Sequence, residues 1–152
     1  MTDLNPKLLF ILLSFFTFEC MANINCGDVF AVGTGPWDYS DPKNHDKSLD
    51  HVTGKRVQMV ERRHFTKKVQ LLYSGETTTK PMPDLDYTLR HFPNHYPALM
   101  SVINYDSQLN GTLPQLDDIP FEQSVECYFT RAFQFKGKDP LVMQLYGIYQ
   151  YK

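Results

Sequence analysis

No apolar stretch in this chain is long enough to cross a bilayer. The run Leu8–Phe18 has eleven residues, whereas a membrane-spanning helix needs ~20. An excess of one charge is also missing. Against 15 Lys plus Arg stand 17 Asp plus Glu, so neither the basic stripe of a nucleic-acid binder nor a polyacidic tail is indicated. Catalytic signatures are lacking too: there is no Gly-x-Ser-x-Gly elbow and no phosphate loop. The Gly33-x-Gly35 pair has neither the third glycine nor the following helix of a dinucleotide site. Cysteine is scarce, at three residues, and Trp37 is the single tryptophan.

What is present begins with that apolar run. It follows Lys7 and is followed by Cys20-Met21-Ala22, the charged start, apolar core and small-residue end of a secretory signal. Residues 1–22 are therefore expected to be removed, leaving 130 residues from Asn23 in the periplasm or outside the cell, with 14 basic against 15 acidic side chains. No stable membrane span remains after cleavage. The mature part keeps 17 of the 21 aromatic residues, including all nine tyrosines. That is enough apolar area for a core, and a tyrosine also serves a binding groove, because its ring packs while its hydroxyl stays wet.

Cys20 leaves with the signal, so Cys26 and Cys127 remain as an even pair in an oxidising compartment. A disulfide is the expected state. Closing a loop of about 100 residues removes on the order of 4–5 kcal/mol of unfolded-chain entropy. A lipid-modified cysteine and two unpaired thiols are the alternatives. Lipidation fits poorly, because Glu19 precedes Cys20 and Asn25 precedes Cys26, where a small residue is needed.

Residues 23–83 form one unit and 84–152 another. The first is rich in turn formers, such as Gly33-Thr34-Gly35-Pro36 and Asp38-Tyr39-Ser40-Asp41-Pro42, which forbid long helices. Within it Arg56–Phe65 reads as a short, partly exposed strand. Thr66 caps a brief helix through Tyr73 that Gly75 ends, and Thr77–Pro83 is a loop. From Asp84 the period becomes helical. Asp84 or Asp86 opens a helix through His91 that Pro93 ends. Pro97 lies in the first turn of a second helix running to Asn104, and Gln108–Pro120 is a polar connection. A third helix, Phe121–Phe135, carries a broad apolar stripe, with Cys127 at its edge. Asp139-Pro140 is a cap followed by a first-turn proline. It starts a fourth helix with Leu141, Leu145, Ile148, Val142, Tyr146 and Tyr149. A helix this apolar needs a covering partner. Either the N-terminal region supplies one, or the natural chain continues past Lys152 and this one is a truncated form.

Phe129-x-x-Ala132-Phe133-x-Phe135, then Asp139-Pro140 and Leu145-Tyr146-Gly147, resembles the second helix of one tetratricopeptide (TPR) repeat running into the first helix of the next. The departures are Gly137 in place of proline, Gln150 in place of tyrosine, and a connection before Pro120 that does not fit a 34-residue period. A wider resemblance rests on Cys26-Gly27, Gly35-Pro36-Trp37-Asp38-Tyr39-Ser40-Asp41-Pro42, Val60-Glu61 with His64-Phe65-Thr66, Asp84 through His95, and Glu126-Cys127-Tyr128-Phe129. Together these are similar to a family of uncharacterised proteobacterial exported proteins with a TPR-like C-terminal half. The resemblance implies a periplasmic location and a binding role, with no reaction assigned.

The expected fold is mainly α, with a short irregular, strand-containing N-terminal region packed on a TPR-like helical hairpin array. The expected function is that of a periplasmic protein-interaction module. It would bind a peptide or partner protein through a tyrosine-rich groove, without cofactor, metal or nucleic acid, and would self-associate through the C-terminal helix. Candidate binding residues are Trp37, Tyr39, Tyr87, Arg90, His95, Tyr146 and Tyr149. The alternative is a small metal-dependent or hydrolytic enzyme using Asp86, His91 and His95. Against that stands Pro93, which interrupts the helix that would align the two histidines. Asp86 and Arg90, at i and i+4, are expected to pair on the surface. Trp37 is expected to plug the core more than to face a partner, and the basic residues from Lys55 to Lys68 to form a solvated face.

Overall fold

The computed structural model describes residues 26–48, 55–111, 113 and 123–152. The predicted signal segment and most of the 108–120 connection lie outside the described residues. Among the described residues there are seven helices and no strand: α1 (Pro42–His45), α2 (Arg56–His64), α3 (Lys67–Gln70), α4 (Met82–His91), α5 (Tyr96–Gln108), α6 (Val125–Phe135) and α7 (Pro140–Tyr151). The protein is a mainly α-helical bundle.

The predicted strand at Arg56–Phe65 is a helix. Val57 and Val60, three apart, are the two residues of α2 that are buried, and Met59, which an alternating strand would bury with Val57, is 42 % exposed. The decisive spacing was three, not two. Thr66 does not cap α3 by a side-chain bond. Its hydroxyl donates to Glu76 instead, and α3 ends at Gln70, before Leu72 turns left-handed at φ 62°. Gly75 is needed for close approach rather than helix termination: a Cβ there would lie 2.4 Å from Thr78 Oγ1, 2.5 Å from the Lys80 carbonyl and 2.8 Å from Asp84 Oδ2.

From α4 onward the proline and aspartate signals locate the helices, with shifted ends. α4 begins at Met82, just after Pro81. The cap of α5 is the imidazole of His95, whose Nδ1 accepts from the Ala98 amide at 3.1 Å, and the helix runs four residues past the expected end to Gln108. Ser124 caps α6, so the part of the expected helix before Val125 is not helical where it is described. Asp139 caps α7 as expected, accepting from the Leu141 and Val142 amides at 3.1 and 3.3 Å.

α5 is the centre of the bundle. It contacts α3, α4, α6 and α7, and α6 and α7 also pack on each other. The main core lies between these helices, with Leu85, Leu99, Val102, Ile103 and Phe129 all at most 1 % exposed. A second, smaller core joins α2 to the end of α4 through Val57, Val60 and Phe92, with Trp37, Tyr39 and Tyr87 packed on it. The N-terminal segment is fixed along α6 at two points. Cys26 and Cys127 are bonded, with S–S 2.06 Å and Cα–Cα 5.0 Å, and the Phe30 and Phe135 rings lie 6.3 Å apart.

The bond closes a loop with a sequence separation of 101 residues. Cys127→Ser is expected to lower stability by about 2–5 kcal/mol, measured as a lower denaturation midpoint with unchanged far-ultraviolet circular dichroism. An unchanged midpoint would mean that the unfolded chain gains little freedom when the link is lost.

Candidate functional site

The turn between α4 and α5 organises everything near it. Asn94 and His95 are fully buried there. The Asn94 side-chain oxygen accepts from the Tyr39 amide at 2.9 Å. Its nitrogen donates to Asp38 Oδ1 at 2.7 Å and to Asp139 Oδ2 at 3.1 Å. One amide therefore joins the N-terminal loop, the helical turn and the cap of α7. Asp139 Oδ2 also accepts from the Tyr96 hydroxyl at 2.8 Å; burial, then the Asp139 bond and charge, push the Tyr96 phenol up to about 12. Lys136 closes the cluster on Asp38 Oδ2 at 2.9 Å.

His95 uses both ring nitrogens for structure. Because Nδ1 accepts from Ala98, the proton resides on Nε2, which donates to Glu61 Oε1 at 3.1 Å. Burial lowers its pKa, only partly offset by Glu61, so the ring is held neutral. Tyr39 covers it, with ring centroids 4.1 Å apart.

Asp86, His91 and His95 do not form a shared centre. Asp86 is buried, with Oδ1 accepting from the Tyr128 hydroxyl at 3.0 Å and Oδ2 2.8 Å from Arg90 Nε. Of this pair, expected on the surface, Asp86 is buried while the Arg90 side chain stays 35 % exposed, because α6 brings Tyr128 and Arg131 against Asp86. Burial raises the Asp86 pKa despite Arg90, Tyr128 and Arg131. His91 turns elsewhere, its Nδ1 2.8 Å from the Thr34 carbonyl. Among the described residues no three His, Cys, Asp or Glu side chains are gathered to hold a metal ion. A hydrolytic or metal-dependent reading through these three residues loses its geometric basis.

Two features remain open to a partner. The first is a recess of about 140 Å³ between α2, α4 and the 34–37 loop. Trp37, Tyr87, Arg63, His64 and His91 line it. Tyr87 lies between two imidazoles, with centroids 3.7 Å from His64 and 4.4 Å from His91, and Trp37 stacks on His91 at 5.6 Å. His64 Nδ1 is 2.8 Å from Asp84 Oδ1, while Asp84 Oδ2 accepts from the Glu76 amide. His64 and Arg63 escaped the sequence reading because a strand would send neighbouring residues to opposite faces. The His64–Asp84 pairing spans 20 positions and has no local spacing signal.

The second feature is the outer face of α7, where Leu141, Met143, Ile148 and Tyr151 are exposed. The tyrosines singled out on this helix lie on its other side: the Tyr146 ring is 5.2 Å from Phe129 and 5.5 Å from Phe133, and the Tyr149 hydroxyl donates to Glu126. A wider, shallow recess of about 550 Å³ at the ends of α5 and α7 is lined by Asp106, Glu126, Tyr149 and Lys152. The candidate residues thus fall into three groups, with Trp37 and Tyr87 at the first recess, Tyr39 and His95 packed on each other behind it, and Tyr146 and Tyr149 on the inner side of α7. Arg90 lies over the Tyr87 ring at 5.8 Å.

Asp38 gives the cluster a pH signature. Burial would raise its pKa, but hydrogen bonds from Ser40, Asn94 and Lys136 outweigh this and bring it from 3.8 to about 2. A carboxylate with a depressed folded pKa stabilises above its unfolded value and loses that contribution as pH falls through the folded one. Thermal melting between pH 5 and pH 2 should show this loss below about pH 4, and Asp38→Asn should show less of it.

No protein-family model matches the chain, and comparison with curated proteins and with solved structures finds no match.

Proposed function

We propose that this protein is an exported, periplasmic interaction module of TPR-like type that binds an apolar helical segment of a partner protein on the outer face of α7. The observation that carries the reading is α7 itself. Its twelve residues, Pro140–Tyr151, include no charged side chain, although Leu141, Met143 and Ile148 are 47, 57 and 39 % exposed. A helix at a protein–water boundary ordinarily sets charges opposite its buried stripe, and apolar side chains gathered on an uncharged open face, here with the neutral Gln144 and Gln150 among them, mark an interaction site. Gly147 lies on the open side with nothing within 4 Å of where a Cβ would stand, so a partner backbone has room to come close.

Two further observations support the finer parts of the reading. α5, α6 and α7 pack against one another pairwise, with Ala132 fully buried. This is the relation expected of a repeat's two helices and the first helix of the next. The Cys26–Cys127 bond suits an oxidising compartment. In a Gram-negative host the exported protein is expected to begin at or near Asn23 by mass spectrometry, and recovery of uncleaved cytoplasmic protein would overturn the location.

In the absence of its partner the open face should pair with itself. At micromolar concentration the exported protein is expected to sediment above monomer mass and to bind a hydrophobic dye. Leu141→Glu combined with Ile148→Glu, both at exposed positions, should restore the monomer and shift stability by no more than about 0.5 kcal/mol each. A monomer with low dye binding in the unaltered protein would overturn the interaction reading.

A further inference from the structure

The recess between α2 and α4 is separate from the α7 face and has a different chemistry. Its walls are aromatic and held in place from behind. Trp37 packs on Phe92 at 5.4 Å and carries the Arg56 guanidinium on its ring at 5.2 Å, while its amide donates to the His91 carbonyl at 2.8 Å. Tyr87 is held between His64 and His91. These packed rings line a recess that suits one small apolar body. The volume of about 140 Å³ is on the scale of a cavity that takes a single benzene ring, roughly 150 Å³.

The polar groups at the recess select a charge. Arg63 is exposed and, among the described residues, has no ion-pair partner, so its donor fork is available for a carboxylate. Beside it, His64 is tied to Asp84 through Nδ1. The other charged groups around the site are already engaged. Glu61 is turned to His95, Asp84 is bonded to His64 and to the Glu76 amide, and Arg90 lies against Asp86 and the Tyr87 ring. Arg63 is therefore the cationic side chain that the recess offers to an anion.

We propose that this recess binds a small ring-bearing carboxylate of about the size of benzoate. The ring occupies the recess that Trp37 and Tyr87 line, and the carboxylate pairs with Arg63. The site belongs to the same chain as the interaction face but does not depend on it.

Trp37 is the only tryptophan, so its emission reports this site alone. Titration of the full exported protein with benzoate is expected to give a saturable change at millimolar concentrations, in keeping with the small number of ligand atoms. Benzyl alcohol keeps the ring and loses the charge; acetate keeps the charge and loses the ring. Each is expected to bind at least about tenfold more weakly, as losing a charge-assisted bond or one ring contact implies. Arg63→Gln, at an exposed position, should weaken benzoate by a similar factor while leaving the melting temperature unchanged. Tyr87→Leu should weaken benzoate more than acetate. A lack of saturation with benzoate would overturn the proposal, as would equal binding of acetate, which would indicate only a nonspecific anion site. Unchanged benzoate affinity in Arg63→Gln would overturn it too. None of these results bears on association through α7.

Discussion

The structure depends on the side chain of one buried asparagine. Asn94 sits fully enclosed in the turn after α4 and makes three hydrogen bonds to two separate segments, the 38–39 loop and the cap of α7. A buried amide without partners costs roughly 1–3 kcal/mol per unsatisfied group, so the Tyr39 amide, Asp38 and Asp139 must all be in place together. That requirement makes the irregular N-terminal loop as well defined as the helices. It also fixes α7, because the Asp139 carboxylate that Asn94 contacts is the one that caps that helix with its other oxygen. A single polar cluster thereby sets the position of both surfaces that remain open to a ligand or partner.

The histidines serve this arrangement. His95 caps α5 with one nitrogen and donates to Glu61 with the other. His91 is tied to the Thr34 carbonyl, and His45 to the Tyr39 carbonyl. Each connects a helix or its cap to another part of the chain without extra volume. His64 likewise uses one nitrogen, Nδ1 to Asp84, and its side chain is 29 % exposed. In composition these residues look alike. What separates them is where the imidazole stands: His64 and His91 line the recess, while His95 is enclosed.

Signals carried by adjacent residues were legible in the sequence. Asp139-Pro140 marks the start of α7 because the cap and the first-turn proline act within one turn, and Cys26 and Cys127, the two cysteines outside the expected signal segment, are the pair that is bonded. Signals that need tertiary contact were not. The i,i+4 spacing of Asp86 and Arg90 was plain, but the burial of Asp86 was not, since Tyr128 and Arg131 arrive from α6, over 40 positions away. α2 was misread because Val57-x-Met59 mimics alternation, while its true inward pair is Val57 and Val60, which only the second core around Phe92 reveals. The recess inherited that error, since its basic and imidazole groups come from the end of the same helix.

α7 shows how local stability and function are linked here. Val142 is its only fully buried residue. The helix is otherwise held by its packing on α5, by its Asp139 cap, by Tyr146 and Tyr149 against Phe129, and by the Tyr149 bond to Glu126. All of these contacts lie on one side. α6 is anchored on two sides, by the Cys26–Cys127 bond and by the main core, so of the two helices α7 is the one that opens at lower cost. A partner that binds only the closed arrangement adds its binding energy to that weaker hold. Its greatest effect would therefore be on hydrogen exchange in α7 and at the Asp139 cap, and through Asn94 the same stabilisation would reach the loop carrying Trp37.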